Sequence, residues 1–164
     1  MNFSNNGMNL LKRLEGCVKS GDKHIIYDDK TAQPVDTKNP LPDGATIGYG
    51  HLIKSGEDFR KGIDEARATE LLRHDIVAAE RAVRKSICVP ITQNQYDALV
   101  IFAYNLGDAN FANSTVVKYI NDPQFHSDKY PTLKSAWMAW NKSSGREMVG
   151  LTRRRIQEWE LFNG

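Results

Sequence analysis

One segment of the chain is apolar on nearly every side of a helix. The run from Tyr96 to Ala103 follows Thr92 and Gln95, which have the spacing of a capping box. Asn105 and Gly107 then end the pattern. A helix without a polar face must be covered by other elements on all sides. The sequence therefore predicts a helical core around this segment.

Amphipathic patterns predict the helices that cover it. Residues 5–15 form a first helix, capped by Asn5 or Asn6 and stopped by Gly16. A pattern that begins after Asp64 and continues to Ile87 predicts one long connecting helix. Shorter helices are predicted over 114–120, 132–141 and 152–162. Their expected inward side chains include Trp137, Trp140, Ile156, Trp159 and Phe162.

Between the first two helices the hydrophobic period changes. The runs 24–27 and 46–49 are β-branched or aromatic and predict two strands of a small antiparallel sheet. The segment between them contains Pro34, Pro40 and Pro42, which favour an extended loop over a central strand. The predicted fold class is α+β, mostly α, in one domain over 1–164. Its sheet lobe covers about 17–63, and its helical lobe about 1–16 and 64–164.

The composition is that of an ordinary globular protein and does not identify a binding partner. The 164 residues carry a net charge of +2, which suits an anionic surface but identifies none. The sequence shows no signal peptide and no stretch long enough to cross a membrane. We therefore expect folding in a cytoplasm. Cys17 and Cys88 have no metal-ligand spacing and are expected to be reduced and buried.

Carboxylates and a glycine-rich run stand close together in the sheet region. Glu15 ends the first helix, where the helix dipole disfavours a negative charge, as a proton donor requires. Asp29 follows Tyr27 in strand-like sequence, so alternation places both side chains on one face, with Asp28 opposite. Two carboxyl groups in different environments are what hydrolysis of a glycosidic bond requires.

These residues resemble a known family. Glu15-Gly16, Tyr27-x-Asp29 and the run Thr46-Ile-Gly-Tyr-Gly-His51 are similar to the phage-type lysozymes, or endolysins, of glycoside hydrolase family 24, which includes the lysozyme of the T-even phages. The resemblance continues downstream through 64–75, 93–107 and 150–155. It implies a two-lobed lysozyme-like fold with a substrate cleft between the lobes.

The resemblance also implies roles for single residues. Glu15 would be the acid, while Asp29 and Thr46 would hold the water that attacks the anomeric carbon with inversion. His51 would brace the sheet lobe against a carboxylate, and Arg153, or in reserve Arg154, would pair with Glu15. The substrate cleft would include Tyr27, Gly48, Tyr49 and Asn105. The substrate would be the glycan of peptidoglycan, cut between N-acetylmuramic acid and N-acetylglucosamine, with no cofactor and no metal.

The spacing of this chain leaves the aspartate open. Residues 20–23 and the proline-rich loop lengthen the gaps that the family has between its catalytic residues. The rivals for the role of Asp29 are Asp22, Asp28, Asp36 and Asp43. The weaker rivals for Thr46 are Thr31 and Thr37.

Other functions remain alternatives. A lytic transglycosylase would need Glu15 but no water-holding aspartate, and a wall-binding module would keep the fold without the activity. A metal site at His24, Asp28, Asp29 and His51, or a thiol hydrolase built on Cys17, lacks a supporting motif. Nucleic-acid binding through 153–155 is not expected, and the tryptophans are expected to be core residues. We expect a monomer, and the missing signal peptide fits a lysis enzyme held in a host cytoplasm until a holin-like pore lets it reach the wall. It fits a phage particle component or an injected effector equally well.

Overall fold

The computed structural model describes every residue from 1 to 164. The chain forms two compact units: the sheet unit, Leu10–Ile76, and the helical unit, Met1–Asn9 with Val77–Gly164. The predicted fold class, mostly helical with small antiparallel sheets, is confirmed. The sheet unit extends beyond the predicted 17–63, because it includes the end of the first helix and the whole of the second. No helix has the length and apolarity that a membrane crossing requires.

Helix α1 covers Asn5–Glu15, the predicted range. Its cap is Ser4 rather than Asn5 or Asn6, since the Ser4 hydroxyl oxygen accepts the Gly7 N–H at 3.1 Å. The carboxylate of Asp97 in turn accepts the backbone N–H of Ser4 at 3.0 Å and its hydroxyl. This buried carboxylate anchors the start of the chain within the helical unit.

Gly7 lies where a helix side chain does not fit. A methyl group built there would lie 2.7 Å from the Phe3 ring and 2.8 Å from the carboxyl carbon of Asp97. Gly7→Ala is therefore expected to lower the free energy of unfolding by about 2 kcal/mol, because overpacking outweighs the gain in helix propensity.

Urea unfolding measures this change, and Gly150→Ala is the matched control. Gly150 also lies in a helix, but no heavy atom stands within 4 Å of an added methyl group. We expect that control to raise the free energy of unfolding by about 0.5–1 kcal/mol. Stabilisation by Gly7→Ala would contradict the proposed close approach.

Five short strands belong to the sheet unit. They are β1 Lys19–Ser20, β2 Lys23–His24, β3 Tyr27–Asp28, β4 Ala45–Ile47 and β5 His51–Leu52. β1 and β2 form a hairpin, while β3, β4 and β5 form a three-stranded antiparallel sheet in that order. In that sheet Tyr27 pairs with Thr46, and Ile47 pairs with His51.

The predicted antiparallel pairing is present, but both predicted strands are shorter. The first is interrupted after His24, because Ile25 N–H bonds Val18 O and Ile26 O accepts Val35 N–H instead of a ladder partner. The second ends at Ile47, and Gly48–Gly50 form a turn in which both glycines have positive φ, +65° and +89°. β3 ends at Asp28, so strand alternation does not extend to Asp29.

The predicted long helix is two helices. Asp64 caps α2, Glu65–Asp75, by accepting the Arg67 N–H at 2.8 Å, as predicted. α3 follows over Val77–Ser86. Ile76 interrupts them as a single turn residue with φ −79° and ψ −8°, close to helical values. The hydrophobic pattern continues across such a small departure, which is why the sequence predicted one helix.

Helix α4, Gln93–Leu106, is the core of the helical unit. Both halves of its predicted capping box are present: Thr92 accepts the Gln95 N–H, and Gln95 accepts the Thr92 N–H. Every residue from Tyr96 to Ala103 is buried, as predicted. The remaining helices are α5 Asp108–Ala112, α6 Thr115–Asn121, α7 Leu133–Met138 and α8 Val149–Asn163.

Several predictions for this region need correction. α5 was not predicted, α7 ends three residues early, and α8 begins three residues early. A hairpin of β6 Lys142–Ser143 and β7 Arg146–Glu147 lies between α7 and α8 along the chain. Ile156 is 43% exposed rather than inward. Trp137 is fully buried, whereas Trp140 and Trp159 are half-buried. Both cysteines are free but exposed, contrary to the expected burial.

Candidate active site

Glu15 is the last residue of α1 and is half-buried. Gly16 ends the helix, with its N–H on Lys12 O at 3.0 Å and a φ of +65°. The turn Gly48–Gly50 lies against the Glu15 carboxylate, because a methyl group built on Gly50 would stand 3.6 Å from Glu15 Oε2. The glycine-rich run therefore makes room for this side chain within the sheet unit.

Asp29 and Thr46 are tied to one backbone carbonyl. The Gly44 oxygen accepts the Asp29 N–H at 3.3 Å and the Thr46 hydroxyl at 2.9 Å. Thr46 is buried in β4, whereas Asp29 is exposed just beyond β3. Because the Thr46 proton is used on Gly44, its oxygen lone pairs remain able to accept a hydrogen bond.

Tyr27 lies among the predicted catalytic residues. Burial first, and the negative charge of Asp29 next, raise the pKa of Tyr27 to about 12, although its hydroxyl oxygen also accepts the N–H of Gly50, which lowers it. The charge of Glu15 and the Cys17 thiol add to that increase. The structure thus brings Glu15, Asp29 and Thr46 around one buried tyrosine, which stays protonated at any ordinary pH.

Two of the rival acids hold turns, and the other rivals lie on loops. Asp28 Oδ1 accepts the N–H groups of Lys30 and Thr31 at 2.8 and 3.0 Å, so this carboxylate holds a turn. Asp36 holds another turn by accepting the Lys38 N–H at 2.8 Å. The other members of both rival sets, Asp22, Asp43, Thr31 and Thr37, lie on exposed or half-exposed loops.

His51 lies between two carboxylates, where one was expected. Its Nδ1 is 2.8 Å from Asp75 Oδ2, and its Nε2 is 3.0 Å from Glu57 Oε2. The Lys54 N–H first and the His51 contact next lower the pKa of Glu57, against the effect of burial. The buried ring therefore links β5 to Glu57, in the loop that precedes α2, and to Asp75, the last residue of α2.

Tyr49 and Gly48 face α2. The Tyr49 hydroxyl lies 2.8 and 2.9 Å from the two carboxylate oxygens of Glu65. Burial first, and that hydrogen bond next, raise the pKa of Tyr49. A methyl group on Gly48 would lie 3.4 Å from Ala68 Cβ. A contact of either residue with substrate stays a prediction.

Glu65 is a residue that the sequence analysis missed. Burial would raise its pKa, but hydrogen bonds from Lys12, His24 and Tyr49 lower the pKa of Glu65 to about 2. Lys19 Nζ also lies 3.5 Å from this carboxylate. The sequence signal was slight, since an acid in the first turn of a helix is common on electrostatic grounds alone.

The lowered pKa predicts how stability depends on pH. A carboxylate whose pKa is depressed on folding adds stability above its ordinary value of 4.5, and this is lost as pH falls through about 2. The stability difference between the wild type and Glu65→Gln should therefore shrink as the pH falls from 5 to 2, by less than the full shift because the carboxylate is partly exposed to solvent. Thermal unfolding across this range measures it, and a constant difference would contradict the ionised contacts.

Three of the predicted site residues, Arg153, Arg154 and Asn105, belong to the helical unit. Arg153 is exposed, whereas Arg154 is buried, with Nε 3.1 Å from Glu158 Oε1. Asn105 is exposed, and its Oδ1 accepts a hydrogen bond from Arg155 Nη2 at 2.8 Å. Solvent weakens exposed ion pairs, so of Arg153 and Arg154 only the buried Arg154 is well placed to form a strong one. The role assigned to Arg153 stays a prediction.

No three His, Cys, Asp or Glu side chains converge as metal ligands. His24 and His51 are each bound to carboxylates, and Asp28 holds its turn. The chemistry that this arrangement favours is acid/base chemistry by Glu15 and Asp29 in the sheet unit.

Comparison with known proteins shows the family. The phage lysozyme family model matches residues 29–158. The endolysin of Salmonella phage P22 is 33% identical over 165 residues, covering 99% of this chain and 98% of the relative. The endolysin of Bacillus phage PZA is 36% identical over 165 residues, 99% of this chain but 55% of that relative. The chain belongs to the phage lysozyme family.

Solved structures agree with that assignment. The muramidase domain of SpmX from Asticaccaulis excentricus has a TM-score of 0.74 at 30% identity, covering 99% of this chain and 98% of that one. A P22 lysozyme variant has a TM-score of 0.70 at 29% identity, covering 100% and 99%. The chain spans about half the length of the two Bacillus phage relatives it matches, 55% and 54%.

Proposed function

We propose that this protein is a peptidoglycan-degrading muramidase that hydrolyses the β-1,4 bond between N-acetylmuramic acid and N-acetylglucosamine. The observation that carries the proposal is the arrangement in the sheet unit. Glu15 lies against the Gly48–Gly50 turn, and the Gly44 carbonyl holds both Asp29 and Thr46. The names of the relatives, endolysins and a muramidase domain, support the same reaction class.

The proposed mechanism assigns one step to each residue. Glu15 donates its proton to the glycosidic oxygen as the bond to the anomeric carbon breaks. A water donates one hydrogen bond to the Thr46 oxygen, attacks that carbon and gives its proton to Asp29. Attack from the face opposite the leaving group inverts the anomeric carbon, as in glycoside hydrolase family 24. No cofactor is needed for these steps.

Product analysis tests the reaction type. Purified peptidoglycan is digested with the protein, and the released fragments are examined by mass spectrometry. Hydrolysis predicts reducing N-acetylmuramic acid ends, each heavier by one water than a 1,6-anhydro end. Anhydro ends would show a lytic transglycosylase, and binding to the wall without released fragments would show a wall-binding module. Either outcome would overturn the proposal.

The biological setting is proposed on the same basis. The phage endolysins among the relatives support a role in lysis of a host cell. Storage in the host cytoplasm, release through a holin-like pore and action as a monomer are further proposals from the sequence. Co-expression with and without a pore-forming protein tests the release step, since lysis without the pore would contradict it.

A further inference from the structure

A cluster of five side chains lies in the sheet unit, next to the end of α1 that carries Glu15. We call it the Glu65 cluster; its members are Lys12, His24, Tyr49, Glu65 and Thr69. Around the Glu65 carboxylate lie Lys12 Nζ at 2.9 Å, His24 Nε2 at 2.8 Å and the Tyr49 hydroxyl at 2.8 Å. Lys12 Nζ also donates to the Thr69 hydroxyl at 2.7 Å. One carboxylate therefore gathers three donors from three separate segments.

Two of these segments carry the candidate site. Lys12 stands one turn before Glu15 on α1. Tyr49 is the neighbour of Gly50, which lies against Glu15 Oε2 and donates its N–H to the Tyr27 hydroxyl. Lys12 Nζ also lies 5.3 Å from the centre of the Tyr49 ring. The carboxylate of Glu65 thus ties the last turn of α1 to the turn that Glu15 faces.

His24 makes the third contact, and its surroundings indicate which ring nitrogen carries the proton. Its side chain is 0% exposed, and its Nδ1 is buried without a hydrogen-bond partner. A proton on Nδ1 would be a buried donor with no acceptor, whereas a proton on Nε2 is donated to Glu65. The geometry therefore favours a proton on Nε2 over one on Nδ1. Its edge-on contact with Tyr49, 5.1 Å between ring centres, holds it there.

The charge of Glu65 is what lets one group serve all three donors. An ionised carboxylate only accepts hydrogen bonds and has room for about four of them. An amide of the same shape keeps one acceptor oxygen and adds two donors, which would face Lys12, His24 or Tyr49 with their own hydrogens. Glu65→Gln therefore breaks the cluster with little change in volume.

From this geometry we infer that Glu65 is a positioning residue, which holds the turn Gly48–Gly50 against the end of α1 and so fixes Glu15 for proton donation. The inference rests on the muramidase reaction proposed above. This role requires no contact of Glu65 with the proposed water or with the glycosidic oxygen. Its effect on the reaction passes through the Lys12 and Tyr49 contacts.

Steady-state kinetics on soluble peptidoglycan glycan oligomers tests the inference. Glu65→Gln is expected to lower kcat about 10-fold and to change KM less than about 2-fold, because a small misplacement of a catalytic group costs rate rather than binding. Rates are expressed per folded molecule, with the folded fraction measured by circular dichroism. The matched control is Glu70→Gln, an exposed glutamate of the same helix paired with Arg67 at 2.9 Å, which should retain kcat.

Two further variants, Tyr49→Phe and Lys12→Met, test the same inference if Glu65→Gln folds poorly. Each variant removes one donor. If both act through Glu65, the loss of kcat in the double variant is smaller than the product of the two single losses. The ¹⁵N shifts of His24 should show the Nε2–H tautomer in the wild type. A proton on Nδ1 would overturn the role given to His24.

The failure of this inference differs from the failure of the proposed function. Unchanged kcat per folded molecule in Glu65→Gln, beside an active wild type, would show that Glu65 only stabilises the fold. If the loss of kcat in the Tyr49 and Lys12 double variant equalled the product of the two single losses, the two side chains would not act through Glu65, and the inference would also fail. A wild type that releases no glycan fragments would instead sink the proposed reaction, whatever Glu65 does.

Discussion

Glu15→Gln is expected to lower the rate of peptidoglycan cleavage by about 10³-fold, the loss that follows removal of a general acid. Glutamine has nearly the same shape but no proton of suitable acidity to give the leaving oxygen. The half-buried position at the end of α1, against Gly50, should be kept because neither volume nor helix propensity changes much. Initial rates of turbidity loss with purified cell walls measure the effect.

The control for this variant is Glu160→Gln. Glu160 is an exposed glutamate of α8, and its replacement should leave the rate within about 2-fold, as surface changes do. Circular dichroism and the melting temperature establish that both variants are folded. If Glu15→Gln cleared cell walls at more than about a tenth of the wild-type rate, Glu15 would not be the acid.

Asp29→Asn should lower the rate by about 10²-fold, because the amide cannot take the proton of the attacking water. Asp28→Asn is a closely matched control at the next position. Its amide oxygen can still accept the N–H groups of Lys30 and Thr31, so the turn should persist and the rate should stay within about 3-fold. The same turbidity assay compares the two.

The outcome of this pair decides between the two aspartates. A large loss in Asp28→Asn beside a small loss in Asp29→Asn would move the role to Asp28. Small losses in both would remove the water-holding carboxylate from the mechanism and favour the transglycosylase. The structure favours Asp29 because the carboxylate of Asp28 already holds two backbone donors, and because Asp29 and Thr46 both bond the carbonyl of Gly44.

Local signals in the sequence were sufficient for most of the helices. The capping box at Thr92 and Gln95 fixed the start of α4, and Gly16 fixed the end of α1, because caps and stops depend on residues within one turn. The buried face of α4 followed from its composition. The family resemblance added the proposed role of Glu15, which spacing alone left weak.

Contacts between distant segments could not be read in the same way. Glu65 is 53 residues from Lys12 and 41 from His24, and no local pattern marks a carboxylate that will receive both. His51 was expected to meet one carboxylate, but Glu57 approaches from a loop whose path the sequence does not show. The interruption between α2 and α3 at Ile76 could not be predicted either, because its backbone stays nearly helical and the hydrophobic pattern does not change there.

The account depends most on a water delivered to the anomeric carbon by Asp29 and Thr46 while Glu15 protonates the leaving oxygen. Proton NMR of the first product released from a soluble glycan oligomer tests this directly, before the two anomers equilibrate. Attack on the face opposite a β-linked leaving group predicts that the new reducing end appears as the α anomer. A β anomer would show retention through a covalent intermediate, and a 1,6-anhydro product would show that no water attacks; either result would contradict the account.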